Sequence, residues 1–146
     1  MWLLGTFQMK FNDFLKRNEV KRAEFDLGLF NSLVKTAEMD LIFLERLKID
    51  EYSARKILSN YYDVLRSLLE AMALKEGYKV YSHEAFTFFL KEKGEEEIAF
   101  KFDRFRKKRN SINYFGESIT IEEVEEYSEE IRKTIMELKE KYLNLS

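Results

Sequence analysis

The segment RKKRNSINYFG, Arg106 to Gly116, holds the side chains of this chain best suited to chemistry. Arg109, Asn110, Asn113 and Tyr114 supply a guanidinium, two amides and a phenol. A guanidinium grips phosphate oxygens through a planar fork of donors, and amides and an aromatic ring take the edge and face of a base. On a helix, Asn113 lies four residues beyond Arg109 and Tyr114 four beyond Asn110, so each pair shares a face. The set contains no group that exchanges protons near neutral pH. The one histidine, His83, follows Ser82 and fits the first turn of a helix, packed against neighbours, better than it fits a catalytic role.

A helix must position this set. Ile98, Phe102, Phe105 and Ile112 recur at helical spacing and mark its inward stripe. Arg109 fills the gap between Phe105 and Ile112, and at roughly 100° per residue it falls near the centre of that stripe. Its basic neighbours Lys101, Arg104, Lys107 and Lys108 point elsewhere, towards solvent. A guanidinium keeps its proton, so a sheltered one needs an acceptor. Three arrangements meet that need: a salt bridge within the bundle, a contact with another subunit, or a cleft where the arginine meets a phosphate. Charge patterning is compatible with all three. Lys101 to Arg109 holds six bases and one acid, whereas Glu117 to Glu130 holds seven acids and no base. Two such runs attract across a bundle as solvated faces, or they frame an anion site.

The rest of the chain reads as helices in series. Thr6 can cap a first helix with Phe7, Phe11, Phe14 and Leu15 on one face. A second stripe runs through Phe30, Leu33, Val34, Ala37, Leu41, Leu44 and Leu47, and its helix begins somewhere between Asn18 and Asn31. Asp50 is placed to cap a third helix carrying Ile57, Leu58, Tyr61, Tyr62, Leu65, Leu68, Leu69 and Met72, with Gly77 as its stop. The Tyr61–Tyr62 pair fits core or interface packing rather than a site. Ser82 opens a fourth helix that stops at Gly94. Glu95, Glu96 and Glu97 suit the positive end of a fifth, which reaches about Tyr114 with Gly116 just beyond. Thr120 and Glu123 form a capping box for the last helix. The segment YKVY, Tyr78 to Tyr81, has strand character but is short and without an evident partner. The pattern predicts an all-α, up-and-down bundle of five to six helices, folded as a single domain over residues 1–146.

Composition removes several function classes. The net charge is −2, too little for a global field to drive the chain onto nucleic acid or anionic lipid. There is no cysteine, so disulfide and thiolate–metal chemistry are excluded. The glutamate-rich runs lack convergent ligand spacing and read as solvated faces, so neither a metal nor a cofactor is expected. The start MWLLGTF is apolar but too short for a signal sequence, and no apolar run approaches the ~20 residues of a membrane span. A cytoplasmic location is the resulting expectation.

From about Thr36 to Gly116 the chain resembles the HEPN family of small prokaryotic helical proteins. The first matching part is KILSNYYDVLRSLLEAMALKEGYKVYSHEAF: a paired-tyrosine helix, a glycine stop, then Ser-His opening the next helix. The second is RNSINYFG. Nuclease members carry an arginine, a short spacer and a histidine, often with Asn directly after the Arg, as Arg109 and Asn110 have here. Another branch reads Arg-x-x-x-Asp-Tyr-Gly. This chain, with Arg-x-x-x-Asn-Tyr-Phe-Gly, is most similar to that branch, Asn113 standing where the Asp would be. The resemblance implies a homodimer with the arginine near a cleft between subunits. It also implies one of two roles: a metal-independent ribonuclease, often a toxin of a toxin–antitoxin pair, or the partner of a minimal nucleotidyltransferase.

The residue at the histidine position weighs between those roles. Histidine cleaves RNA without metal because its pKa lies near neutrality, whereas a tyrosine at about 10 is a poor base. Arg109 could stabilise developing charge, but the 2′-hydroxyl would remain unactivated. Tyr114 keeps a donor, an acceptor and a stacking ring. In some relatives a partner transferase adenylates a tyrosine two residues after the histidine; that position here is Gly116. The expectation is a nucleotide- or RNA-binding module acting through Arg109, Asn110, Asn113 and Tyr114, with ribonuclease activity as the alternative, in which case Arg109 and Tyr114 would be catalytic.

Overall fold

The computed structural model describes residues 9–143, over which the chain forms an all-α bundle of six helices with one small ribbon. Helix α1 spans Phe11–Lys16, α2 Leu27–Glu45, α3 Ala54–Lys75, α4 His83–Glu92, α5 Glu96–Phe115 and α6 Ile121–Leu138. A π-helical turn, Lys139–Leu143, follows α6. Thr6 and the segment MWLLGTF lie outside the described residues, and Lys10 occupies the cap position of α1. No helix among the described residues is long and apolar enough to cross a membrane.

Helix α3 is the axis of the bundle. It touches α2, α5 and α6, and its apolar residues from Ala54 to Leu74 are buried. Tyr62, Leu65, Leu68 and Leu69 have no exposed surface at all. Around them one continuous core gathers Phe30 from α2, Phe86 and Leu90 from α4, Phe102 and Phe105 from α5, and Ile131 and Ile135 from α6. Burial of this stripe from every side fixes which face of each helix turns inward, and so fixes the direction of the side chains beside it.

Local chemistry sets the helix boundaries, in places differently from expectation. Asp26 resolves the open start of α2, since its carboxylate accepts from the Leu29 N–H at 3.0 Å. Asp50 does not cap α3 directly. Its Oδ1 accepts from the N–H groups of Tyr52 and Ser53, both at 2.9 Å, organising a turn that delivers Ser53 to the cap position. The Asx turn competes successfully with the cap because a short acidic side chain reaches its own downstream amides. Thr120 and Glu123 form the expected capping box, with the Glu123 N–H donating to the Thr120 hydroxyl at 3.1 Å. Gly116 ends α5 at φ +67°, a left-handed conformation suited to glycine.

YKVY does have a partner. Strand β2, Tyr78–Val80, pairs antiparallel with β1, Val20–Arg22, in the register Val20↔Val80. Both valines are buried, at 1% and 9% exposure, so the ribbon seals one edge of the core. The partner comes from a distant part of the chain, between α1 and α2, where no periodicity marks it.

Candidate anion-binding site

Arg109 sits on α5 where the inward stripe places it, half-buried, with Phe105 and Ile112 buried on either side. Its guanidinium lies over the ring of Tyr62, 5.3 Å from the centroid, and 5.4 Å from that of Tyr114. Its Nη1 donates to Asn110 Oδ1 at 3.2 Å and to the Tyr114 hydroxyl at 3.1 Å. Its Nε is buried and donates to nothing among the described residues. No carboxylate pairs with it there. Two neutral acceptors and two aromatic faces hold the guanidinium in place and leave its charge uncompensated, as cation–π and neutral hydrogen bonds do.

Every base around it is treated differently. Arg104 meets Glu130 of α6 at 2.6 Å, Lys107 meets Asp103 at 2.9 Å, and Lys108 meets Glu117 at 3.0 Å and Glu123 at 3.4 Å. Lys108, expected in open solvent, has a side chain only 14% exposed, because both carboxylates draw it into the α5–α6 seam. The groove there, about 420 Å³, is therefore electrically satisfied despite its basic lining. The facing charge runs act as a seam between α5 and α6, and Arg109 stands outside it.

Behind Arg109 lies a buried polar pair. The hydroxyl of Tyr62 is 3.1 Å from His83 Nδ1, and the Tyr62 ring stacks on Phe102 at 5.5 Å. Burial pushes the Tyr62 phenol well above its ordinary range. Burial also lowers His83 to about 4, aided by the charges of Arg66, Arg109 and Arg106. The imidazole is thus neutral and the phenol protonated at pH 7. The two neutral groups share a single hydrogen bond whose donor is set by the imidazole tautomer. His83 opens α4 and packs against Tyr62, the helix-start position its sequence context predicts. Its link to Arg109 through Tyr62 was not legible, because it depends on three helices meeting.

Of the four residues named from sequence, Arg109, Asn110 and Tyr114 come together directly. Asn113 turns to α3 instead, its Nδ2 donating to Ser59 Oγ at 3.1 Å. That bond ties the end of α5 to α3 and orients the Arg109 turn. Sequence reasoning missed Arg66 and Asp63 of α3. Arg66 reaches Glu70 at 3.5 Å but leaves its Nε buried without a partner. Asp63 is half-buried, and burial, with the charge of Asp40, holds its carboxyl above the ordinary value while Arg66 and Arg109 oppose the rise. Their spacing from Tyr62 along α3 was the available signal. In comparisons with known proteins, no family model, no curated protein and no solved structure matches the chain.

Proposed function

We propose that this chain is a HEPN-type nucleotide- or RNA-binding module without catalytic power, acting as a homodimer and able to serve as the partner of a minimal nucleotidyltransferase. One observation carries the reading: the half-buried Arg109 guanidinium is braced by Tyr62, Asn110 and Tyr114, yet no carboxylate among the described residues neutralises it. A cation sheltered in this way costs free energy unless an anion completes it, and the braced fork is geometrically suited to phosphate oxygens. Tyr114, 67% exposed beside it, offers a ring on which a base can stack. The homodimer and the transferase partner rest on the family resemblance alone.

The ribonuclease alternative gains one observation, the presence of His83 in the same cluster. The low basicity of His83, about 4, weighs against it, since a base of that strength takes up little of a proton near neutral pH.

Incubating the pure chain with labelled RNA in EDTA separates the two. The expected outcome is intact RNA together with binding that weakens about tenfold or more in Arg109→Ala, the scale of losing a charge-assisted contact. Cleavage that disappears in Arg109→Ala would overturn the non-catalytic reading.

A further inference from the structure

Asp63 presents the complementary puzzle to Arg109. It follows Tyr62 on α3, and its half-buried carboxylate has neither an ion pair nor a hydrogen-bond partner among the described residues. The charges of Arg109 and Arg66 reach it, but neither side chain closes on it. Two opposite charges that served only to join helices would pair, since each uncompensated group raises the cost of the other's burial. Here they stay apart.

Asp63 also borders a cavity of about 220 Å³ between α2 and α3, lined by Asp40, Phe43, Leu44, Asn60 and Asp63 itself. Phe43 lines this opening and is 58% exposed. Asp63 lies one helical turn beyond Ser59, the residue that Asn113 grips, so the cavity wall and the arginine-bearing end of α5 draw on the same turn of α3. The cavity therefore offers an uncompensated carboxylate and a flat apolar ring, and the uncompensated cation of α5, whose charge reaches Asp63, lies outside its lining.

A ligand that fits all three carries an anion, N–H donors some way from it, and a planar face. Nucleotides have that layout, and the carboxylate discriminates among them. An ionised carboxylate only accepts hydrogen bonds, through two oxygens side by side. Guanine places two donors, N1–H and the N2 amino group, next to one another. Adenine and cytosine set a donor beside an acceptor, and uracil sets its single donor between two acceptors, so each leaves a lone pair facing the carboxylate.

We propose that the α2–α3 cavity is a guanine-recognition subsite, in which Asp63 accepts from N1–H and the N2 amino group, Asn60 donates to O6 and Phe43 covers one face of the ring. The proposal rests on Arg109 receiving the phosphate. Asp40 adds negative potential to the same wall and strengthens the preference for a donor edge.

Calorimetric titration of the full chain with GMP, IMP, AMP and inorganic phosphate at low salt tests it. GMP should bind at least about tenfold tighter than AMP, the discrimination of one good bidentate pair, with IMP in between because it lacks the N2 amino group. Asp63→Asn should erase or reverse the advantage of GMP, because an amide sets a donor beside an acceptor and so matches the edge of adenine. Phe43→Ala should weaken GMP, and Arg109→Ala should weaken GMP and AMP alike. Equal binding of GMP and AMP by the wild-type chain, both lost in Arg109→Ala, would overturn the guanine subsite and leave the phosphate site standing. Absence of binding by every probe would overturn both. An Asp63→Asn chain with an unchanged melting curve that still binds GMP about tenfold tighter than AMP would overturn the role given to Asp63. The comparison of GMP with IMP on the wild-type chain needs no variant to fold.

Discussion

At the scale of single residues, the arginines of α5 show how one side-chain type takes opposite assignments within two turns. Arg104 and Arg106 face carboxylates at 2.6 and 2.7 Å, and Arg109 faces rings and an amide. Position relative to the Phe102–Phe105–Ile112 stripe separates them: Arg104 reaches Glu130 of α6, Arg106 reaches Asp103 one turn back on its own helix, and the inward position of Arg109 meets neither. The same shelter governs His83. Since burial and three nearby guanidiniums lower its folded pKa to about 4, the unfolded chain takes up a proton between about 6.5 and 4 that the folded chain refuses. Stability is therefore fully present above pH 6.5 and declines as the pH falls through that window. Solvent screening of a half-buried ring limits the loss to the order of 1 kcal/mol. His83→Asn should flatten this part of the stability–pH curve in denaturant titrations. With one histidine in the chain, its imidazole resonance should report a midpoint near 4 directly, and a midpoint near 6.5 would dismantle the Tyr62–His83 account.

At the scale of elements, ends and seams decide what the apolar stripes leave open. The Thr120–Glu123 box starts α6, and Glu123 also reaches Lys108 of α5 at 3.4 Å, so one cap serves both a helix terminus and the α5–α6 seam. Its carboxyl is held below the ordinary range, chiefly by the Thr120 backbone N–H. Thr120→Ala should cost about 1 kcal/mol, the usual scale of a lost N-cap, read as a shifted denaturation midpoint with an unchanged slope. Nucleotide binding should persist, because the Arg109 turn is tied to α3 through Asn113 and Ser59. The capping box and the Gly116 terminus were readable from sequence, since both act through neighbours a few residues away. The β1–β2 ribbon was not. Its registry joins Val20 to Val80, and a three-residue strand has too short a pattern to announce a remote partner.

At the scale of the whole molecule, the core absorbs most of the large apolar side chains but leaves a distinct set outside. Phe115, Phe100, Met39 and Phe43 are 81, 70, 60 and 58% exposed. The homodimer proposed from the family resemblance is tested at this scale. Sedimentation at tens of micromolar should give twice the 17.6 kDa chain mass, and a monomer there would count against the dimer.

What the sequence determined alone was whatever acts over one or two helical turns: six amphipathic stripes, most of their stops and caps, and the anomalous inward position of Arg109. Those features follow from the 3.6-residue period and from local hydrogen bonding, which need no knowledge of the rest of the chain. Tertiary structure decided what stands opposite each position. Docking α5 on α3 and α4 put Arg109 over Tyr62 and joined Tyr62 to His83, and docking α5 on α6 gave Arg104 and Lys108 carboxylates of α6. It left Arg109 and Asp63 without a counter-charge among the described residues, because charge compensation depends on distances across helices that periodicity does not encode.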